Sequence, residues 1–185
     1  MTHYRREGGC FVDNNWLDLL QNTTQLPEVL ETNRYTERFG LTVSEQDAQR
    51  ILENRKRTLQ EQRRVEFGSG CVTKLMYEFC DSAYIDQNNY VDTIIRLQDI
   101  FYLYKNEMND EMTDDELIHL MKEQYEKLCF GDSDYLESTC LAEFAQAVRA
   151  GYRGFRETDG YGAYSAFDRQ ERWNHELYEE TLRNL

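Results

Sequence analysis

The sequence predicts an all-α fold, a single helical bundle or array of five to six main helices with little or no β structure. Three observations carry that prediction. One proline and 10 glycines in 185 residues are too little punctuation for a sandwich or barrel, which needs a turn signal about every 8 to 12 residues. Apolar side chains recur in steps of three and four along most of the chain, the spacing of a buried helix face. The segments so marked open on Ser, Thr, Asp or Asn, and several close on Gly, the residue types that satisfy helix ends.

Taken in order, the first candidate is the short amphipathic stretch Trp16-Leu17-Asp18-Leu19-Leu20 behind the capping types Asp13, Asn14 and Asn15. Pro27 then suits the first turn of another short helix running toward Asn33. Ser44, followed by Glu45 and Asp47, opens the first long helix, whose acidic first turn complements the helix dipole. It is expected to run to about Phe67 and to bury only Ala48, Ile51, Leu52 and Leu59. Gly68 would close it in a left-handed cap, with Ser69 capping the next helix.

Val72, Leu75, Met76, Phe79 and Cys80 mark the next buried face, which ends near Asp81-Ser82-Ala83-Tyr84. Asp86-Gln87-Asn88-Asn89 supplies caps for the most apolar helix of all. There Tyr90, Ile94, Leu97, Phe101, Tyr104 and Met108 alternate steps of four and three, widened by Val91, Ile95 and Ile100, which places this helix at the centre. Thr113 and Glu116 are spaced as a capping box. The helix they start turns Leu117, Ile118, Leu120, Met121, Tyr125, Leu128 and Cys129 inward and stops at Gly131. From Ser133 or Asp134 another helix presents Leu136, Cys140, Leu141, Phe144, Ala145 and Val148 and stops at Gly151. Residues 152–164 read as an irregular connection, and Ser165 or Asp168 caps a last charged helix with Trp173, Leu177, Tyr178 and Leu182. The organisation is thus an N-terminal arm with short helices (1–33), a helical core domain (34–151) and a Gly/Tyr-rich connection with a C-terminal helix (152–185).

Charge narrows the partners. The formal net charge is -14. Residues 66–149 hold 18 acidic and 6 basic side chains, whereas residues 1–65 hold 10 of each. A field of that sign repels phosphate backbones and anionic lipid, so neither nucleic acid nor membrane is expected as a partner. No apolar run approaches the roughly 18 to 20 residues that cross a bilayer, and the first ten residues lack the apolar stretch of a secretory signal, so a cytoplasmic location is expected. The five cysteines, Cys10, Cys71, Cys80, Cys129 and Cys140, form no Cys-x-x-Cys pair. They are expected to be reduced and structural.

Arg64-Val65-Glu66-Phe67-Gly68-Ser69-Gly70, Phe79-Cys80-Asp81-Ser82, Ile100-Phe101-Tyr102-Leu103-Tyr104-Lys105-Asn106-Glu107 and Thr113-Asp114-Asp115-Glu116-Leu117 are stretches in which the chain resembles a bacterial family classed as of unknown function. The resemblance covers about residues 34–151 and implies no activity.

Several constellations invite chemistry. Glu116 and His119 have the Glu-x-x-His spacing of four-helix carboxylate metal sites, but those need two copies and two further glutamates. No second copy exists, so no metal and no cofactor is expected. The acid-rich stretch from Asn106 to Glu116 lacks the glycine of a calcium loop and reads as a solvated interhelical loop. Cys71 falls in a first helical turn, where a nucleophile would sit, with His3, His119 and His175 all distant in sequence. The first long helix mixes Arg50, Arg55, Lys56, Arg57, Arg63 and Arg64 with Glu45, Asp47, Glu53, Glu61 and Glu66, including a Glu53 to Arg57 pairing, and reads as a solvated face. Alternatively, Arg55 and Arg57 dock on an acidic surface of a second copy or another protein. Tyr152, Arg153, Phe155, Tyr161 and Tyr164 have the composition of an interface core or of a segment wrapping its own domain.

The reading these observations support is a noncatalytic protein-interaction or regulatory protein, with a protein partner or self-association. The alternative is a helical enzyme or small-ligand or metal-binding protein whose site gathers dispersed carboxylates, His119 and tyrosines.

Overall fold

The computed structural model describes residues 25–66 and 68–153. Within them the regular structure is helical, and no strand occurs. Residues 25–31 are helical (α1), and α2 (Asn33–Thr36) leads through a 3-10 turn (Glu37–Phe39) to the left-handed Gly40. The sequence-predicted helix behind Pro27 is therefore present; the Trp16 stretch and the helix around Trp173 lie outside the described residues. This entry segment is docked: Val29, Thr32 and Thr36 are fully buried. Polar side chains hold it by standing in for backbone partners. Asn33 donates its amide to the Val43 carbonyl and accepts from the Val43 N–H, both at 2.8 Å. Gln87 does the same for both backbone groups of Thr42.

The long helix α3 (Glu45–Glu61) opens as expected on Ser44, whose hydroxyl accepts from the Asp47 N–H. That hydroxyl also donates to the Asp47 carboxylate, which holds the Asp47 acid below its usual range. Its end is earlier than the sequence suggests. Arg63, at φ 54, takes the left-handed position assigned to Gly68, and the Arg64 N–H bonds the Leu59 carbonyl to complete a Schellman closure. The cause lies in another helix. Asn106 donates to the Gln62 carbonyl, and Arg64 reaches Asn106 and Asp110, so the turn is fixed by partners more than 40 positions away.

α4 (Cys71–Phe79) begins after Gly70, at φ 57 and ψ -134; Ser69 does not cap it, but donates its N–H to Glu28 and shares a hydroxyl contact with Thr73. The backbone angle demands glycine at position 70, and an added Cβ would also displace the Glu66 carboxylate, 2.3 Å from it. α5 (Tyr90–Glu107) is the central helix, with Tyr90, Ile94, Leu97, Ile100 and Phe101 wholly buried. α3, α4 and α6 (Asp114–Lys127) all pack on it, and α4 also packs on α6. The Thr113 and Glu116 capping box is formed in both directions.

Beyond α6, Asp132 rather than Ser133 or Asp134 is the cap, accepting from the Asp134 and Tyr135 N–H groups. α7 (Ser133–Tyr135), a π-helical turn (Leu136–Leu141) and α8 (Ala142–Arg149) come next without a break. The π turn explains why Leu136 and Leu141, five positions apart, are both fully buried. Tyr104 of α5 donates its hydroxyl to the Glu137 carbonyl inside this turn. No helix among the described residues is long and apolar enough to cross a membrane.

Candidate functional site

The structure disperses most of the residues that the sequence marked. Glu116 is occupied by its capping box, accepting from the Thr113 N–H at 2.7 Å. His119, one turn on, faces α4 instead, where its Nδ1 lies 3.4 Å from Glu78, a carboxylate only 2 % exposed. One imidazole and one carboxylate meet there, and no group of three or more His, Cys, Asp or Glu side chains able to hold a metal occurs among the described residues. Cys71 does open a helix, but it is completely buried. Burial pushes its thiol well up, the reverse of what a nucleophile needs.

The acid-rich loop between α5 and α6 already contains its cations. Lys105, nearly buried, donates from Nζ to the Met112 carbonyl at 2.6 Å and pairs with Asp114 at 2.9 Å. Arg64 takes Asp110 with both guanidinium nitrogens, and that hydrogen bond is the main reason the Asp110 acid is held below the usual carboxylate range. An ammonium thus stands among the loop oxygens. The expected solvated loop is present, with Asp110 exposed and Asp114 partly exposed, and its carboxylates are paired by the nearly buried Lys105 and by Arg64.

Arg55 is likewise not on a solvated face. It is 4 % exposed and pairs with Glu66 at 3.2 Å, and Tyr102 donates to the same Glu66 oxygen at 2.6 Å. The reason is that α3 has too few apolar positions to cover α5, so polar side chains on that stripe are covered too: Asn54, Arg55 and Thr58 are all buried. Arg57 is exposed but engaged, reaching Asn54, Asp99 of α5 and, at 3.8 Å, Glu61 rather than Glu53. Tyr152 is exposed with one edge against Phe144, and Arg153 bonds the Val148 carbonyl and Glu111. Phe155, Tyr161 and Tyr164 lie outside the described residues.

The feature that sequence reasoning passed over is the corner between α6 and α7. Leu128, expected inward, is 57 % exposed, because α6 stops at Lys127 and the chain turns before completing another buried step. Phe130, two residues on, has φ 50 and is 68 % exposed. A left-handed backbone is costly for a bulky residue, and here the strained residue also displays its ring to solvent. Gly131, at φ 86, packs under Tyr84, leaving no space for a Cβ, and its N–H closes the turn on the Tyr125 carbonyl. Tyr84 and Tyr135 add two further exposed aromatic rings at this corner. Of the carboxylates in residues 126–137, Glu126 pairs with Lys122 and Asp132 caps α7. Arg96 of α5 fixes the corner from behind through Asp134 and Glu137. The only sequence signal was Phe130 beside a helix-ending glycine, outside any apolar stripe.

Compared with known proteins, the chain matches over residues 28–154 the model of a family described as a family of unknown function (DUF6323). No curated protein and no solved structure matches it.

Proposed function

We infer that this chain, which belongs to the DUF6323 family of unknown function, is a noncatalytic interaction protein of the cytoplasm that docks another protein at the corner between α6 and α7. The observation that carries the reading is Phe130, a large apolar side chain held exposed in a left-handed backbone next to exposed Leu128. Such strain persists where the surroundings fix it, and it is concentrated at functional positions. Aromatic side chains are enriched among the residues that anchor interfaces. Asp134 and Glu137 are paired with Arg96, and Glu126 with Lys122, so it is the chain's net charge of -14 that favours a partner segment pairing an aromatic or aliphatic anchor with lysine or arginine, and that disfavours a nucleic acid or an anionic membrane.

Selection of random peptides displayed on phage against the immobilised protein tests this. Enriched sequences should combine an apolar anchor with basic neighbours, and their affinity should fall at least tenfold on Phe130→Ser with the helical circular dichroism unchanged. Enrichment of peptides indifferent to Phe130→Ser, or no enrichment, would overturn the reading.

A further inference from the structure

Within the twelve residues from 129 to 140 the backbone departs from regular helix twice. It does so first at the consecutive left-handed Phe130 and Gly131, and again at the π turn that contains Cys140. Between them these two irregularities bring the Cys129 and Cys140 sulfurs to 3.5 Å. A disulfide needs about 2.05 Å, so closure requires the sulfurs to approach by roughly 1.5 Å. Cys140 lies in the π turn, a rare irregularity frequently found at functional sites. The two thiols also differ in access. Cys129 is nearly buried, whereas Cys140 is half-buried on the outer side of the pair. Cys71 and Cys80 are buried elsewhere in the core, and Cys80 donates to the Tyr77 carbonyl.

We propose that Cys129 and Cys140 form a reversible dithiol, a modification site at which disulfide oxidants of the glutathione class close an intramolecular bond between the end of α6 and the π turn. The order of events is set by access. The Cys140 thiolate attacks one sulfur of oxidised glutathione, a Cys140–glutathione bond forms, and the first glutathione leaves as a thiolate that takes up the proton Cys140 lost. Cys129 then attacks Cys140 Sγ, the mixed disulfide breaks, and the second glutathione leaves with the proton from Cys129. Two protein thiols are oxidised and one glutathione disulfide is reduced, with no other reactant. Burial, and after it the hydrogen bond to Cys140, pushes the Cys129 thiol up to about 12. It is therefore a poor first attacker and becomes effective only when the target sulfur is already beside it. The proposal is independent of whether a partner docks at Phe130.

Trypsin gives a direct readout, because residues 128–149 contain both cysteines and no internal Lys or Arg. The full chain is equilibrated in buffers of increasing oxidised-to-reduced glutathione, quenched in acid, denatured, alkylated and digested. Peptide 128–149 should pass from doubly alkylated to unalkylated, lighter by two hydrogens than its reduced form, while Cys71 and Cys80 remain alkylated; reduction with dithiothreitol should reverse the change. In Cys129→Ser, Cys140 should instead retain glutathione. A doubly alkylated peptide at the most oxidising ratio, a stable glutathione adduct on wild-type Cys140, or bonds involving Cys71 or Cys80 would each overturn the proposal.

Discussion

α3 and α4 pack on the same central helix, one through a seam that adds polar side chains to Ala48, Ile51, Leu52 and Leu59 and the other through a more apolar one. From α4 come Val72, Leu75, Met76 and Phe79, all fully buried. From α3 come Asn54 and Thr58, which donate to Asp99 of α5, together with Arg55, which meets Tyr102 of α5 at the shared oxygen of Glu66. Gln98 of α5 is oriented back toward the Ile51 carbonyl. The apolar seam gains from area removed from water and is tolerant in direction. The polar seam gains little net energy per contact, but each buried group left alone is expensive, so it fixes register more than it adds stability.

The largest effect should come from the apolar core around α5. Phe101→Ala removes a wholly buried ring and should cost about 3 to 5 kcal/mol, read as a lowered urea midpoint. A midpoint within error of wild type would show that the apolar face of α5 does not carry the fold. Next, Arg55→Ala should cost about 2 to 3 kcal/mol, less than the 3 to 5 of a fully buried pair because Glu66 keeps some solvent. If Arg55→Met were more stable than wild type, the pair would be a device of specificity only, which would sharpen the contrast between the seams.

Alkaline titration tests the burial common to both seams. Tyr90 and Tyr102 are raised far above the usual phenol value and Tyr77 to about 12, each chiefly by burial. A raised folded value means stability that is complete below pH 10, where the unfolded tyrosines still hold their protons, and that is lost as pH climbs through the folded values. The part of the tyrosinate absorbance that Tyr90→Phe removes should therefore appear only together with loss of helical signal above about pH 10; if that part forms while the helix signal stays constant, Tyr90 is not buried as described. The smallest effect is at the rim of the polar seam. Arg57→Ala should change stability by no more than about 0.5 kcal/mol, since Arg57 is exposed and its pairs are screened.

Helices α3 to α6, the caps at Ser44 and Thr113 and the centrality of α5 were legible in the sequence, because each rests on forces between residues three or four apart. The features that escaped it were set from further away. The end of α3 at Arg63 depends on Asn106; the burial of Arg55 depends on Glu66 and Tyr102; the neutralisation of the acidic loop depends on Lys105 turning back over it. The π turn receives a hydroxyl from Tyr104, 33 positions away, at the Glu137 carbonyl. At the corner, the same stripe that placed Leu128 inward missed both the exposed Phe130 and the meeting of Cys129 with Cys140. A helical repeat describes residues only while the helix lasts, and the sequence alone states the tendency to stop, not the residue at which tertiary partners enforce it. Local periodicity thus determined which segments are helical and which faces are apolar. Tertiary contact decided where helices end, which charges are buried, and which side chains meet, because those outcomes turn on partners that only the packed chain brings within hydrogen-bond distance.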